Sequence, residues 1–205
     1  MEKQKNRKIK MLAISDVHGD SELTKRLAEK AEKEKVDLVL LCGDNTSPFE
    51  TEDLIKPFKK KNKDVLIIPG NHDSFATTEF IANLYGIKNL HGYSIIHNGI
   101  GFFGAGGADI GPGAISENEL FRTLKKAHSG LEKIKTKIMI THQHPKGSNS
   151  ELSGVKGSEA VTKAIKEFKP DILIHGHIHE AEGIEEIIGN TKVINVGRKG
   201  RIIEI

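Results

Sequence analysis

The 205-residue sequence predicts an α/β fold in which two mixed β-sheets pack together with helices outside. Three observations carry this expectation. Short apolar runs alternate with segments of helical period through the first third of the chain. Two hairpin signals follow, one mid-chain and one near the end. Five of the apolar runs stop abruptly at clusters of His, Asp or Asn, and in open α/β sheets such strand ends are where ligands gather.

The elements follow in order. Lys10–Ser15 is the first run, and Asp16-Val17-His18-Gly19 comes after it. Ser21 is an N-cap candidate, with Leu23, Leu27 and Ala31 at helical spacing behind it. Val36–Cys42 is the second run, ending in Gly43-Asp44-Asn45, and Leu54, Ile55 and Phe58 suggest a short helix. Val65–Pro69 is the third, ending in Gly70-Asn71-His72-Asp73, with a helix marked by Phe80, Ile81 and Leu84. This β-α-β-α-β order implies parallel strands and right-handed crossovers.

Tyr93–His97 and Ile100–Phe103 flank Asn98-Gly99, a strong two-residue hairpin signal. Ser116-Glu117-Asn118-Glu119 has capping-box spacing before Leu120, Leu124 and His128. Lys137–Thr141 leads into His142-Gln143-His144. Val161, Ala164, Ile165 and Phe168 mark the last helix, stopped near Pro170, and Ile172–His175 leads into Gly176-His177-Ile178-His179. Ile184–Ile188, a Gly189-Asn190 turn, Thr191–Val196 and Arg201–Ile205 finish the chain. The Gly-rich stretches Gly104–Gly113 and Gly147–Gly157 read as binding loops or flexible connections.

The chain reads as one domain over residues 1–205, with basic residues 1–8 as a flexible tail. A content of 37% hydrophobic and 29% charged residues is ordinary for a globular chain and disfavours disorder. No apolar stretch approaches membrane-spanning length, and the polar N-terminus lacks the apolar segment of a signal peptide. A single cysteine, Cys42, leaves no internal disulfide and points to the cytoplasm. A net charge of only +3, no dense basic stripe and few aromatics argue against a nucleic-acid surface.

The strand-end clusters offer seven candidate metal ligands: Asp16, His18, Asp44, Asn71, His142, His177 and His179. That is too many for one tetrahedral ion and suits two ions sharing a carboxylate. Asp44 lies on a central strand and is the natural bridge. Donors of this mixed character suit Mn, Fe, Zn or Ni.

Asp-x-His, Gly-Asp, Gly-Asn-His-Asp, a lone strand-end His and Gly-His-x-His, in that order, resemble the calcineurin-like metallophosphoesterase superfamily. The resemblance runs from Lys8 to the C-terminal strands. It implies a four-layer αββα sandwich with a dinuclear metal site at the C-terminal strand ends. By motif, Asp16, His18 and His179 would hold one ion, Asn71, His142 and His177 the second, and Asp44 both. His72 matches the family's catalytic histidine, and Asp73 the carboxylate expected to orient it and raise its proton affinity. The implied reaction is hydrolysis of a phosphomonoester or phosphodiester by in-line attack of a metal-bridging hydroxide. The implied partner is a small phosphoester, a nucleotide among the candidates.

His144 and Lys146 are candidate substrate contacts, as is Arg198, although surface cations are by default merely solvated. His175 should point away from the ligands if its strand alternates. His91, His97 and His128 read as surface or satisfied core residues, and Asn195-Val196-Gly197 as a structural turn. Two alternatives stay open at this point: a non-catalytic interaction scaffold on the same fold, and a nuclease. The presence of His72 with a full ligand set favours an enzyme over the scaffold.

Overall fold

The computed structural model describes residues 8–47 and 53–205. Apart from Lys8, the expected basic tail lies outside the described residues. The first sheet holds β1 (Lys10–Ile14), β2 (Leu38–Cys42), β3 (Asp64–Ile68) and the short β4 (Lys88–Asn89), all parallel. The C-terminal β11 (Arg201–Glu204) closes its other edge, antiparallel to β1. The second sheet starts with β5 (Ser94–His97) and β6 (Ile100–Ala105), then β7 (Thr136–Thr141), β8 (Ile172–His175), β10 (Thr191–Asn195) and β9 (Glu185–Ile188). Its four inner strands are parallel, while β5 and β9 run antiparallel at the edges.

Strand alternation explains why these runs are apolar throughout. Met11, Ala13, Leu38, Leu40, Cys42, Leu66 and Ile68 face Phe102, Ile138, Ile140, Ile174 and Ile194 of the opposite sheet, forming the central layer. Their neighbours Leu12, Ile14, Val39, Leu41, Val65 and Ile67 point the other way. They pack under α1 (Ser21–Lys33), α2 (Lys56–Lys60) and α3 (Phe75–Tyr85) through Leu27, Ala31, Phe58 and Ile81. On the second sheet Phe103, Met139, Leu173 and Val193 meet α4 (Glu117–His128) and α5 (Glu159–Phe168) through Leu120, Leu124, Val161 and Phe168. The result is the four-layer αββα sandwich, two mixed sheets with helices on both outer faces.

Several local expectations shift by a residue or a face. Asp20, not Ser21, caps α1: its Oδ1 accepts from the Leu23 amide at 2.8 Å, and Ser21 is already helical. Ser116 caps α4 as its spacing predicts, accepting from the Glu119 amide at 3.3 Å. On α3 the buried face is Thr78, Ile81 and Ala82, whereas Phe80 and Leu84 are 64% and 61% exposed. The three fall within about 100° of one another round the helix, but only Ile81 is on the side turned to the sheet. The Asn98-Gly99 hairpin forms with both residues at positive φ, 50° and 81°. Among the described residues no helix is long and apolar enough to cross a membrane.

Candidate metal centre

The five polar clusters leave the carboxyl ends of β1, β2, β3, β7 and β8, and direct hydrogen bonds draw their loops together. The Asp16 amide donates to Gly43 O at 3.0 Å, His18 to Asp44 O at 2.8 Å, and Gly19 to Asn45 O at 3.0 Å. Across the sandwich, His142 Nδ1 lies 3.0 Å from Cys42 O. The Gly176 amide donates to His142 O at 3.1 Å, and the His177 amide to Asp16 Oδ2 at 3.1 Å. The two sheets therefore meet at one rim.

Four of the seven candidate ligands hold left-handed backbone: Asp16, His18, Asp44 and His177 have φ of 59°, 49°, 51° and 71°. For residues with a Cβ this costs roughly 1–2 kcal/mol each. It persists only where surrounding contacts over-determine it, as the hydrogen bonds above do, and such strain gathers at functional sites. It turns the strand-end side chains inward. Space for them is made by glycine: a Cβ on Gly70 would lie 2.0 Å from Asp44 Oδ1, and one on Gly176 2.8 Å from Asp16 Oδ2.

The donor atoms fall into two groups. One atom each from Asp16, His18 and His179 lie within 4.8 Å of one another, and so do atoms of Asp44, His142 and His177. Asp44 stands between them, with His18 Nε2 3.7 Å from its Oδ2 and His142 Nε2 3.4 Å from its Oδ1. Asn71 joins the second group, its Oδ1 3.1 Å from His142 Nε2. The structure thus brings all seven candidates to one place. The donor set fits divalent cations: Asp16 Oδ1 is buried with no hydrogen-bond partner among the described residues, 3.4 Å from His179 Nε2. Burial also pushes the His18 imidazole below its ordinary pKa and His177 down to about 4, keeping both rings neutral with a lone pair to donate. Against burial, Asp44 carries His142 the other way, up to about 9.

His72 lies beside this cluster and open to solvent, its side chain 60% exposed and Nε2 4.0 Å from Asp44 Oδ2. Its ring meets that of His18 at 5.2 Å. Asp73 corrects the sequence reading. No hydrogen bond joins it to the His72 imidazole; its two oxygens are taken by donors of Asn45, Thr46 and Gly70. This carboxylate points into the protein, 0% exposed, while the neighbouring imidazole faces solvent.

The other candidates sit outside the cluster. His144, a candidate substrate contact for which a hydrogen-bonded loop histidine is the commoner reading, is 1% exposed, with Nε2 3.2 Å from Val155 O. Lys146 pairs with Glu159 at 2.6 Å and Arg198 with Asp20 at 2.6 Å, both on the surface. His175 is buried, and that burial holds its pKa down to about 3; its Nδ1 lies 3.2 Å from Gly176 O. His91 packs at a tilt against Phe75, ring centroids 4.6 Å apart, and Nδ1 accepts from the Gly106 amide at 3.2 Å. The Gly-rich stretch after β6 is tied down at its flanks, where the Gly107 and Gly113 amides donate to Pro69 O and Asn71 O, each at 3.0 Å, and exposed over residues 109–112 between them. Sequence reasoning missed Ser15, whose hydroxyl donates to Cys42 O at 3.1 Å, and Thr46; a Ser or Thr beside a ligand is too common to signal either.

Comparison with known proteins places this geometry. The fold matches a crystal structure from Thermus thermophilus with TM-score 0.75 at 20% identity, covering 96% of this chain and 99% of that one. It matches a structure titled a novel archaeal phosphodiesterase with TM-score 0.54 at 21% identity, covering 96% and 100% of the two chains. A dimetal phosphatase from Danio rerio matches with TM-score 0.65 at 14% identity, covering 93% of this chain and 88% of that one. No curated protein matches the sequence significantly. The family model described as calcineurin-like phosphoesterase matches residues 9–181, nearly the whole chain and all five strand-end clusters, so the chain belongs to the calcineurin-like phosphoesterase family, whose members carry out metal-dependent phosphoester hydrolysis.

Proposed function

We propose that the protein is a dinuclear metal-dependent phosphoric ester hydrolase of the cytoplasm, acting on a small phosphomonoester or phosphodiester, a nucleotide among the candidates. The observation that carries this reading is the meeting of two donor triads at Asp44, with Asp16 Oδ1 left buried and without a hydrogen bond beside them among the described residues. Asp16, His18 and His179 would hold one ion and Asn71, His142 and His177 the other, with the Asp44 carboxylate available to both. Bound there, two such ions supply Lewis acidity toward phosphoryl oxygens and a nucleophile active at neutral pH.

The remaining work falls to side chains of the chain itself. The buried carboxylates of Asp16 and Asp44 would supply the negative charge that neutralises the cations. His18 and His177 donate as neutral imidazoles, which burial secures. His72 is the exposed imidazole at the rim, and donates a proton toward the leaving group or a phosphoryl oxygen. Lys146 and Arg198 stay outside this scheme, each paired with a carboxylate on the surface. The test is a screen of mono-, di- and cyclic phosphoesters with purified protein reconstituted with Mn, Fe, Zn or Ni, with metal content measured on the same sample. Turnover with two ions per chain is expected. Absence of hydrolysis with every metal would turn the reading toward a metal-binding scaffold.

A further inference from the structure

Asp73 is 0% exposed, yet no lysine, arginine or histidine among the described residues pairs with it. Its Oδ1 accepts from the Thr46 amide at 2.9 Å and the Thr46 hydroxyl at 2.6 Å. Its Oδ2 accepts from the Asn45 amide at 3.0 Å, the Asn45 side-chain Nδ2 at 3.0 Å and the Gly70 amide at 2.9 Å. Four of these five donors belong to the loop that carries Asp44, whereas Asp73 itself belongs to the loop that carries Asn71 and His72. Hydrogen bonds to a carboxylate are the stronger kind, and a buried one is costly to leave unmade.

The contrast with the neighbouring loop pair makes the arrangement informative. The loop of Asp16 and His18 is joined to the loop of Asp44 by three backbone hydrogen bonds, at 2.8 to 3.0 Å. Among the described residues no backbone–backbone hydrogen bond joins residues 43–46 to residues 70–74. Two carboxylates do that work instead: Asp44 Oδ1 accepting the His72 amide at 2.9 Å, and Asp73. Asp44 is itself assigned to the ions, which leaves Asp73 as the dedicated fastening.

We infer that Asp73 is a positioning residue, a latch between the Asp44 loop and the Asn71–His72 loop that sets the geometry of the second ion without touching it. The inference rests on the ligand assignment proposed above. Removing the latch frees Asn71 and His72 relative to Asp44 and leaves the backbone-bonded first group in place. The effect is therefore selective for one of the two ions.

The test uses Asp73→Asn, which sets an NH2 against amide donors, together with Thr46→Val, which removes one hydroxyl, and Thr46→Ser, which restores it. Stepwise Mn2+ binding to metal-free protein is followed by calorimetry, and the exchange-coupled two-ion signal by electron paramagnetic resonance. Wild type and Thr46→Ser are expected to bind two ions and show the coupled signal. In Asp73→Asn the second ion should weaken by about 10–100-fold, the range for groups that orient metal ligands, with the first little changed and the coupled signal replaced by that of isolated Mn2+. Thr46→Val should show the same selectivity to a smaller degree. Equal weakening of both ions, or a lower melting temperature with both affinities intact, would overturn the inference. If Asp73→Asn does not fold, the Thr46 pair decides, and identical metal binding by Val and Ser overturns it. A wild-type protein that does not take up two ions would instead refute the ligand assignment.

Discussion

His142 Nε2 from the second sheet lies 3.4 Å from Asp44 Oδ1 of the first, so imidazole and carboxylate form an acid–base pair across the sandwich. Burial opposes a charge on the ring, but Asp44 outweighs it and raises the pKa from 6.5 to about 9. The same proximity of His142 holds the Asp44 carboxyl below the usual range, against its own burial. A pKa raised on folding contributes stability that is complete below the unfolded value of 6.5 and is lost as pH rises through about 9. The metal-free protein should therefore lose melting temperature as pH climbs from 6.5 to 9, while metal uptake, which displaces that proton, tightens. A melting temperature of chelator-treated protein that stays flat or rises over this interval would remove the pair from the account.

The acid side has a different origin. Burial depresses His91 to about 4 and His175 to about 3, so both stay neutral in the folded protein while the unfolded chain takes up protons below 6.5. Their contribution is complete above 6.5 and lost as pH falls toward 4 and then 3. Thermal melts should show stability declining steadily over that span, and a protein equally stable at pH 6.5 and pH 4 would contradict it.

His72→Ala should keep both ions and the fold, because its exposed ring is no part of either donor group. Turnover should drop by about 10²–10⁴-fold, the usual worth of a positioned proton donor. Metal analysis and kinetics on one preparation check this; full activity would strip His72 of its assigned role.

Asp44→Asn should weaken both ions together, since both donor groups converge on that carboxylate. Stepwise metal titration separates the outcomes, and loss of one ion with retention of the other would refute the bridge.

Gly70→Ala tests the cradle. The added methyl would sit 2.0 Å from Asp44 Oδ1 and 2.1 Å from the Asp44 amide nitrogen. Folded protein should be recoverable with a lower melting temperature and much weakened metal binding. Wild-type metal stoichiometry and affinity would show that Asp44 has room to move.

Much of this molecule is legible in its sequence because two periodic rules act together. Alternation sorts Met11 and Ala13 from Leu12 and Ile14, and the abrupt change after each run marks a strand end where Asp16, Asp44 or His142 must leave the sheet. What was not legible depends on long-range partners. Asp73 was read through its neighbour His72, but its donors lie 27 and 28 residues away at Thr46 and Asn45. Lys146 looked free until α5 brought Glu159 beside it. The burial of His144 depends on the loop carrying Val155, and the exposure of Phe80 and Leu84 on how α3 is rotated against its sheet. The pairing of β11 with β1 likewise joins the two ends of the chain, beyond the reach of any local pattern.

Each donor triad draws on both sheets: Asp16 and His18 with His179, and Asp44 with His142 and His177. Neither triad can be complete in a half-folded chain, because its members lie as far apart as residues 16 and 179 and meet only when the sheets have docked. High-affinity metal uptake should thus be among the last events of folding. Bound ions would act as rivets at the rim of the sandwich, so chelation would loosen the molecule where it is otherwise closed only by loops.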